Sequence, residues 1–324
     1  MNQKTDKEEQ AKKISFDSLN AKIAAWRADL SDRKKVAKYL KRNGLYLILF
    51  LVLYGLGSLL PEGFDWKDTL KHGIVHPIWT PWTPYILFLI APLGYGFIFA
   101  LTIMGIGIRS FRYRPSPLPA ILALVSLPTL WILFMGNLEG IVLFGMLIMP
   151  VGVPLVLMKP QLGAFFVLAK RNWIIASALF GILTLIIWGF WPERFLLVTT
   201  NEWRSEWVQD ISLFPWGILP GLIFMWFSRG DEDLLMAAGS LMTPHLFPYH
   251  FVLLMPSLAR MKWYWMLITW VVSWTPLLAN WLGPQGWHFG NLMSVCFWFG
   301  IYLNRKQSSN KAAPQLSPLT MKEK

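Results

Sequence analysis

Cysteine and charge are both scarce in this sequence. Its 324 residues include one cysteine, Cys296, which excludes a disulfide framework and a CxxC metal knuckle. Cys296 lies in an apolar run, where a small buried residue is the simplest interpretation. Charged residues make up 15% of the chain and hydrophobic residues 55%, which is too apolar for a soluble domain of this length. The sequence therefore predicts a polytopic membrane protein.

Several motifs of common enzyme classes are also missing. The sequence has no Walker loop, no GxSxG elbow and no dinucleotide-binding fingerprint. Its GxG pairs, Gly94/Gly96 and Gly105/Gly107, lie inside apolar runs, where close helix packing explains them better. No internal repeat of the transporter kind is evident. We therefore predict no cofactor.

The net charge of +12 is explained by membrane topology, and no nucleic-acid partner is predicted. Residues 1–43 carry 12 Lys or Arg against 6 Asp or Glu, and residues 305–324 carry 5 against 1. Both tails are therefore predicted to be cytoplasmic, with the chain in the plasma (inner) membrane and an even number of spans. The tail 305–324 is expected to be disordered.

The fold class expected is an all-α polytopic transmembrane bundle of about eight to ten spans over residues 44–304. Leu45–Leu60 is interpreted as a signal anchor that is retained. In the basic tail 1–43, apolar residues from Phe16 to Leu30 recur every three or four positions, which predicts an amphipathic helix. It would lie on the inner leaflet, pack on a partner helix or form a solvated arm. The candidate spans are approximately 44–60, 84–107, 118–135, 139–157, 173–191, 212–228, 234–244, 249–259, 263–282 and 287–304.

The positive-inside rule then assigns each polar group to a face. The segment Pro160–Ala169 is too short to cross and is predicted to be an interfacial or re-entrant piece on the cytoplasmic side, next to Lys159. The inner face receives Arg109, Arg112, Arg114, Lys159, Lys170, Arg171, Arg229, Arg260 and Lys262. All five histidines, Glu139 and the acidic loops 61–83 and 192–211 fall on the outer face, where any chemistry is therefore expected.

The first outer loop, Pro61–Tyr85, has the densest polar pattern. Asp65 and Asp68 are three apart, and His72 and His76 are four apart, so on a helix each pair would share a face. Such pairs could supply a general base or a metal site, and a solvated charged loop that packs on the membrane surface is the alternative. No HExxH spacing is present, and no metal ligands are assigned.

Two further groups on the outer face are candidates for substrate binding. Arg194 and Arg204 are, with Lys67 and Lys71, the only basic outer groups besides histidine, so a bound phosphate would use them; an interfacial helix is the alternative. Asn137 and Glu139 open a predicted span, where an acid is either a helix N-terminal charge or a pocket group.

Five segments, taken in order, resemble the GT-C class of polytopic glycosyltransferases, and most nearly the polyprenol-phosphate-mannose-dependent mannosyltransferases of glycosyltransferase family 87. They are Asp65/Asp68, "WTPWTPYILFLIAPLG", "GNLEG" at Gly136–Gly140, "MKPQLG" around Lys159, and "LMTPHLFPYHFVLLMPSL". Together they span roughly residues 61–258.

The resemblance implies a cavity lined by Thr243–His250, including His245, with His250 at the position of the family's histidine. It implies that Asp65 or Asp68 is the base that deprotonates an acceptor hydroxyl, and that the donor is a polyprenyl-phosphate sugar. The leading hypothesis is a membrane glycosyltransferase acting on the outer face. A noncatalytic membrane scaffold or accessory subunit, with membrane lipids and a membrane-protein partner, is the alternative, followed by a transporter.

Overall fold

The described part of the protein is entirely helical. The structure is a computed structural model that describes residues 33–68, 80–193 and 208–312, with side chains for 43–67, 80–193 and 208–305. Across these ranges the chain forms helices and turns and no β-strand, in agreement with the predicted all-α class. The predicted amphipathic helix at Phe16–Leu30 lies outside the described residues.

The α-helices are numbered here in chain order. They are α1 (Arg33–Leu59), α2 (Phe64–Asp68), α3 (Thr83–Ile90), α4 (Gly94–Tyr113), α5 (Pro117–Leu124), α6 (Leu127–Met135), α7 (Glu139–Leu147), α8 (Val153–Val156), α9 (Pro160–Phe166), α10 (Arg171–Trp188), α11 (Ile218–Ser228), α12 (Glu232–Met242), α13 (Trp263–Val272), α14 (Ala279–Leu282) and α15 (Leu292–Ala312). Short 3-10 helices follow several of them, at Ala91–Leu93, Val167–Ala169, Pro248–Leu253, Met255–Arg260, Thr275–Leu278 and Gly283–Asn291.

Two of the described helical segments are long and apolar enough to cross a membrane. They are Thr83–Tyr113, with 31 residues, and Arg171–Trp188, with 18. The pair α5 and α6, bent by 53°, would make a third if it forms one span. Large apolar side chains of α10 are exposed, for example Leu179 at 64% and Ile186 at 76%, as expected of a helix in contact with lipid. The larger number of eight to ten spans stays a prediction.

The chain divides into two compact units, Met1–Val52 and Leu53–Lys324. The second unit contains two hydrophobic clusters. The larger one is built around α12 and the two 3-10 helices between Pro248 and Arg260. The smaller one contains Trp66, Tyr95 and Leu138 and lies beside the polar groups that end α6 and begin α7. The smaller cluster therefore forms the apolar support of those polar groups.

The predicted span 139–157 is not a straight helix. After α7 the chain turns and returns as α8, and Gly152 packs directly on Gly145: a Cβ at Gly152 would lie 2.0 Å from the Gly145 carbonyl oxygen. Two glycines permit this close return because neither has a side chain in the contact. The fold-back brings the end of the segment, at Lys159, to Glu139 at its start.

The helix α12, over most of the predicted span 234–244, is buried by protein along nearly its whole length. Its N-cap is Asp231, whose carboxylate accepts hydrogen bonds from the backbone N–H groups of Asp233 and Leu234. On one side Gly239 receives the ring of Phe165, where a Cβ would meet ring carbons at 2.0 Å. α12 therefore acts as the central helix of this unit and connects polar groups at its two ends.

Candidate functional site

Two glycines fix the short helix α2 against the loop that joins α6 to α7. Gly63 precedes α2, and a Cβ at this position would lie 2.5 Å from the Gly136 Cα atom. Gly136 itself has φ +69°, a left-handed conformation that ends α6 and that non-glycine residues adopt only at a cost. This backbone contact brings Asn137, which directly follows Gly136, next to Asp65, two residues after Gly63.

Asp65 is held by a short hydrogen bond. The side-chain amide of Asn137 donates to the Asp65 carboxylate with an Nδ2–Oδ2 distance of 2.6 Å. The amide oxygen of Asn137 in turn accepts from the backbone N–H of Leu138 at 2.7 Å, which fixes the orientation of the amide. Asp65 is half-buried while Asn137 is buried. The carboxylate is thus positioned on a rigid support and retains access to solvent or ligand.

Beside this pair lies a buried ion pair. The Lys159 ammonium is 2.6 Å from Oε1 of Glu139, and both side chains are almost fully buried. Lys159 also lies over the ring of Tyr249, 5.3 Å from its centroid. Removing two charges from water is expensive and is offset only by good geometry, so breaking such a pair costs about 3–5 kcal/mol.

His250 completes the group from the 3-10 helix Pro248–Leu253. Its Nδ1 atom accepts a hydrogen bond from the backbone N–H of Phe247 at 2.9 Å, so in the neutral ring the proton is on Nε2. That Nε2 atom is 3.7 Å from Oε1 of Glu139. We call Asp65, Asn137, Glu139, Lys159 and His250 the Asp65 site.

A second histidine lies next to this site and is held by a different acid. Nδ1 of His245 is 2.8 Å from Oδ2 of Asp210, and the rings of His245 and His250 are 6.3 Å apart at their centroids. The other Asp210 oxygen accepts from the backbone N–H groups of Ser212 and Leu246. Asp210 therefore clamps the segment that carries both histidines.

The Asp65 site retains hydrogen-bonding capacity. Within the described part of the chain, Oε2 of Glu139 and Nε1 of Trp66 are buried and have no hydrogen-bond partner. Buried polar atoms are normally paired, so the unpartnered Glu139 oxygen leaves this site with a spare acceptor. The surrounding charges can handle a proton, because carboxylate, lysine and imidazole side chains all exchange protons.

Five predicted site residues are brought together by the structure. Asn137 contacts Asp65, His250 approaches Glu139, and His245 lies beside His250. Glu139 lies in the first turn of α7, as the helix-charge interpretation predicts, and its carboxylate is buried and paired with Lys159. Its assignment as a pocket group stays a prediction.

The other predicted site residues are not described in full. Asp68 ends α2, and its side chain is outside the described set. Lys71, Arg194 and Arg204, together with His72 and His76, lie outside the described residues. Their assignments stay predictions.

One face assignment is wrong. The positive-inside rule placed Lys159 on the inner face and Glu139 on the outer face, but the two side chains form an ion pair. The reason is the fold-back at Gly145 and Gly152, which returns the chain to its starting level. The segment Pro160–Ala169 therefore does not lie along one face. It begins beside Glu139 and is followed by Lys170, whose ammonium is 3.9 Å from Glu232 at the start of α12.

Sequence reasoning also missed two residues near the site, Asp210 and Tyr249. Asp210 was assigned to the outer face with no role, and Tyr249 was passed over between two histidines. Lys159 was also not among the predicted site residues, although the sequence carried a signal for it. It is a single cation in an apolar stretch, and a charge in such a position marks a functional group by default.

A second polar cluster lies at the other end of α4 and α12. Asp233 is buried and accepts hydrogen bonds from Arg109 and Arg260, each at 2.6 Å. Arg260 also pairs with the N-cap residue Asp231. We call these four residues the arginine cluster. Burial alone would raise the pKa of Asp233, but the charges of Arg109 and Arg260 outweigh it and hold that pKa below its ordinary value.

Within the described ranges, no three His, Cys, Asp or Glu side chains are grouped so that they could hold a metal ion. Comparison of the chain with protein-family models, with curated proteins and with solved structures finds no match.

Proposed function

We propose that this protein is an integral membrane glycosyltransferase that moves a sugar from a polyprenyl-phosphate donor to a hydroxyl group of a lipid or glycan acceptor on the extracytoplasmic face. The proposal includes a GT-C-like bundle of about eight to ten spans in the inner membrane, with both termini in the cytoplasm. Asp65 is the proposed general base. His245 and His250 line the proposed cavity, and Asn137 and Glu139 contribute to substrate binding.

The observation that carries the proposal is the convergence at Asp65. The "GNLEG", "MKPQLG" and "TPHLFPYH" segments, which are distant from Asp65 in sequence, supply Asn137, Glu139, Lys159 and His250 to one site. These are the segments that carry the resemblance to family 87. Asn137 bonds the half-buried Asp65 directly, and Lys159 and His250 meet at Glu139, two residues after Asn137. A group of motifs gathered beside one accessible carboxylate is expected of an active site, because a general base must be held within hydrogen-bonding reach of its substrate.

The proposed reaction is a single displacement. Asp65 accepts the proton of the acceptor hydroxyl while the hydroxyl oxygen attacks the anomeric carbon of the donor. The bond between that carbon and the phosphate oxygen breaks, and polyprenyl phosphate leaves with the electron pair. One displacement inverts the anomeric centre and needs no covalent enzyme intermediate. Arg194, Arg204 and Lys71, three basic residues of the two outer loops, are the proposed contacts of the donor phosphate.

The test is transfer activity in membranes from cells that express the protein, supplied with a panel of radiolabelled polyprenyl-phosphate sugars. Asp65→Asn removes the base and is expected to lower the rate by about 10²- to 10⁴-fold at equal expression. Glu62→Gln is the matched control, since Glu62 is an exposed carboxylate in the same loop, and it should retain activity. Asp68→Asn is measured alongside, and a loss there in place of Asp65 would reassign the base.

The alternative is a noncatalytic scaffold, and the burial of Glu139, Lys159 and His250 favours it, since a buried ion pair can serve structure alone. Absence of transfer by the folded wild type across the donor panel would contradict the transferase proposal. Transfer that persists unchanged in Asp65→Asn and in Asp68→Asn would contradict the assignment of the base.

A further inference from the structure

A separate cavity of about 170 Å³ lies near the arginine cluster, where α4 ends and α10 begins. Its polar lining includes Arg109, Arg112, Lys170 and Glu232, and its apolar lining includes Met149 and Phe166. A cavity with a cationic side and an apolar side is suited to an anionic amphiphile. It does not belong to the Asp65 site. Tyr95 lies against Gly136 beside that site and Arg109 lines the cavity, and the fourteen-residue step between them along α4 is about 21 Å long.

Glu232, the acidic residue of the cavity lining, does not neutralise the positive charge of the basic residues there. Arg109 is already paired with Asp233, and Glu232 is 3.5 Å from Arg109 and accepts from the Tyr113 hydroxyl. Arg112 is exposed and has no ion pair within the described part of the chain. Lys170 is 57% exposed, and its only described ion pair is the long one to Glu232. Two accessible cations thus face the cavity.

The neighbouring helix indicates where the cavity lies relative to lipid. α10 is one of the two described segments able to span a membrane, and it starts at Arg171, directly after Lys170. Trp173 lines the same cavity, and the Lys170 ammonium is 4.1 Å from the centre of its ring. Tryptophan and lysine at the start of a span are typical of the headgroup level of a bilayer, and basic pockets there bind anionic lipid headgroups.

We propose that this cavity binds the phosphate of an anionic phospholipid, with Arg112 and Lys170 contacting the phosphate and Met149 and Phe166 contacting the apolar part of the lipid. The proposal does not depend on the transferase function. Its ligand chemistry, a phosphate ester, is shared with soluble phosphates, and the experiment separates the two.

The experiment uses the full-length protein in detergent and a fluorescent phosphatidylglycerol analogue whose binding is followed by anisotropy. Arg112→Gln and Lys170→Gln should each weaken binding roughly fivefold, and the double variant roughly 25-fold, as expected for removal of one surface cation each. Arg171→Gln is the matched control, because Arg171 is exposed, adjacent to Lys170 and absent from the cavity lining; it should stay within about twofold of wild type.

Competition identifies the source of the phosphate. Unlabelled phosphatidylglycerol should displace the probe, whereas phosphatidylcholine and glycerol phosphate at equal concentration should not. Displacement by glycerol phosphate as effective as by the lipid would overturn the lipid assignment. Binding that is unaffected by the double substitution, or reduced equally by Arg171→Gln, would overturn the site. Arg112→Lys retains the charge and should retain binding, which separates loss of charge from loss of fold.

Discussion

The Asp65 site and the arginine cluster both contain buried charged side chains, but the two sites differ in how completely the buried carboxylates are paired. In the arginine cluster the fully buried Asp233 is bonded by two arginines, and Asp231 takes the remaining guanidinium contacts of Arg260. In the Asp65 site Glu139 uses one oxygen for Lys159, while its other oxygen has no partner among the described residues. A saturated cluster stabilises the fold, whereas one with spare acceptors can bind a ligand.

The choice of cation sharpens this difference. Arginine remains protonated in proteins, so the arginine cluster cannot exchange protons at ordinary pH. The Asp65 site contains lysine, histidine and carboxylates, which can change protonation when a ligand binds. The same helices, α4 and α12, connect the two regions, so one scaffold carries a structural end and an end suited to chemistry.

The largest effect should come from breaking the arginine cluster. Asp233→Ala leaves the buried Arg109 without its closest carboxylate and is expected to lower the free energy of unfolding by about 3–5 kcal/mol. The measurement is thermal or denaturant unfolding in detergent. Glu232→Gln is the control: Glu232 is the next residue but is partly exposed and 3.5 Å from Arg109, so a loss below about 1 kcal/mol is expected. Equal losses in the two variants would contradict the structural role given to Asp233.

An intermediate effect is expected at the Asp65 site from Gly63→Ala. The added Cβ would meet the Gly136 Cα atom at 2.5 Å, so α2 must shift away from Asn137. Forced overpacking of this kind costs about 1–3 kcal/mol, and the loss of the Asp65–Asn137 hydrogen bond should reduce any transfer activity further. Both stability and activity are measured.

The control for that substitution is Gly107→Ala, because Gly107 is helical and a Cβ there meets nothing within 4 Å. Alanine is the better helix former, so this variant should be as stable as the wild type or slightly more stable. A Gly63→Ala variant that behaves like Gly107→Ala would show that the close contact does not position Asp65.

The smallest effect concerns acid pH. The folded pKa of Asp233 is below its ordinary value, so its ionised form stabilises the folded state fully above the unfolded pKa of about 3.9. That stabilisation is lost as the pH falls through the folded pKa. The difference in unfolding free energy between wild type and Asp233→Asn should therefore be largest above about pH 4 and should shrink below it. A difference that stays constant down to pH 2 would contradict the lowered pKa.

Much of the candidate site could be predicted from local sequence patterns. Asp65, Asn137, Glu139, His245 and His250 were selected from spacing, charge and the resemblance to family 87. The assignment of Lys159 and Glu139 to opposite faces was wrong, because hydropathy describes a fold-back such as α7–α8 as one apolar run. The pairing of Asp210 with His245 was not predictable from 35 positions of separation, since a hydrogen bond between distant residues leaves no local pattern.

Sequence by itself determined the helical class and the helices that are long and apolar enough to cross a membrane, because such runs leave the backbone no other way to satisfy its hydrogen bonds in lipid. It also determined which residues could perform chemistry. Tertiary structure alone decided which of them meet. The close approaches at Gly63/Gly136 and Gly145/Gly152 depend on backbone geometry across distant segments, and they bring Asp65 to Asn137 and Lys159 to Glu139.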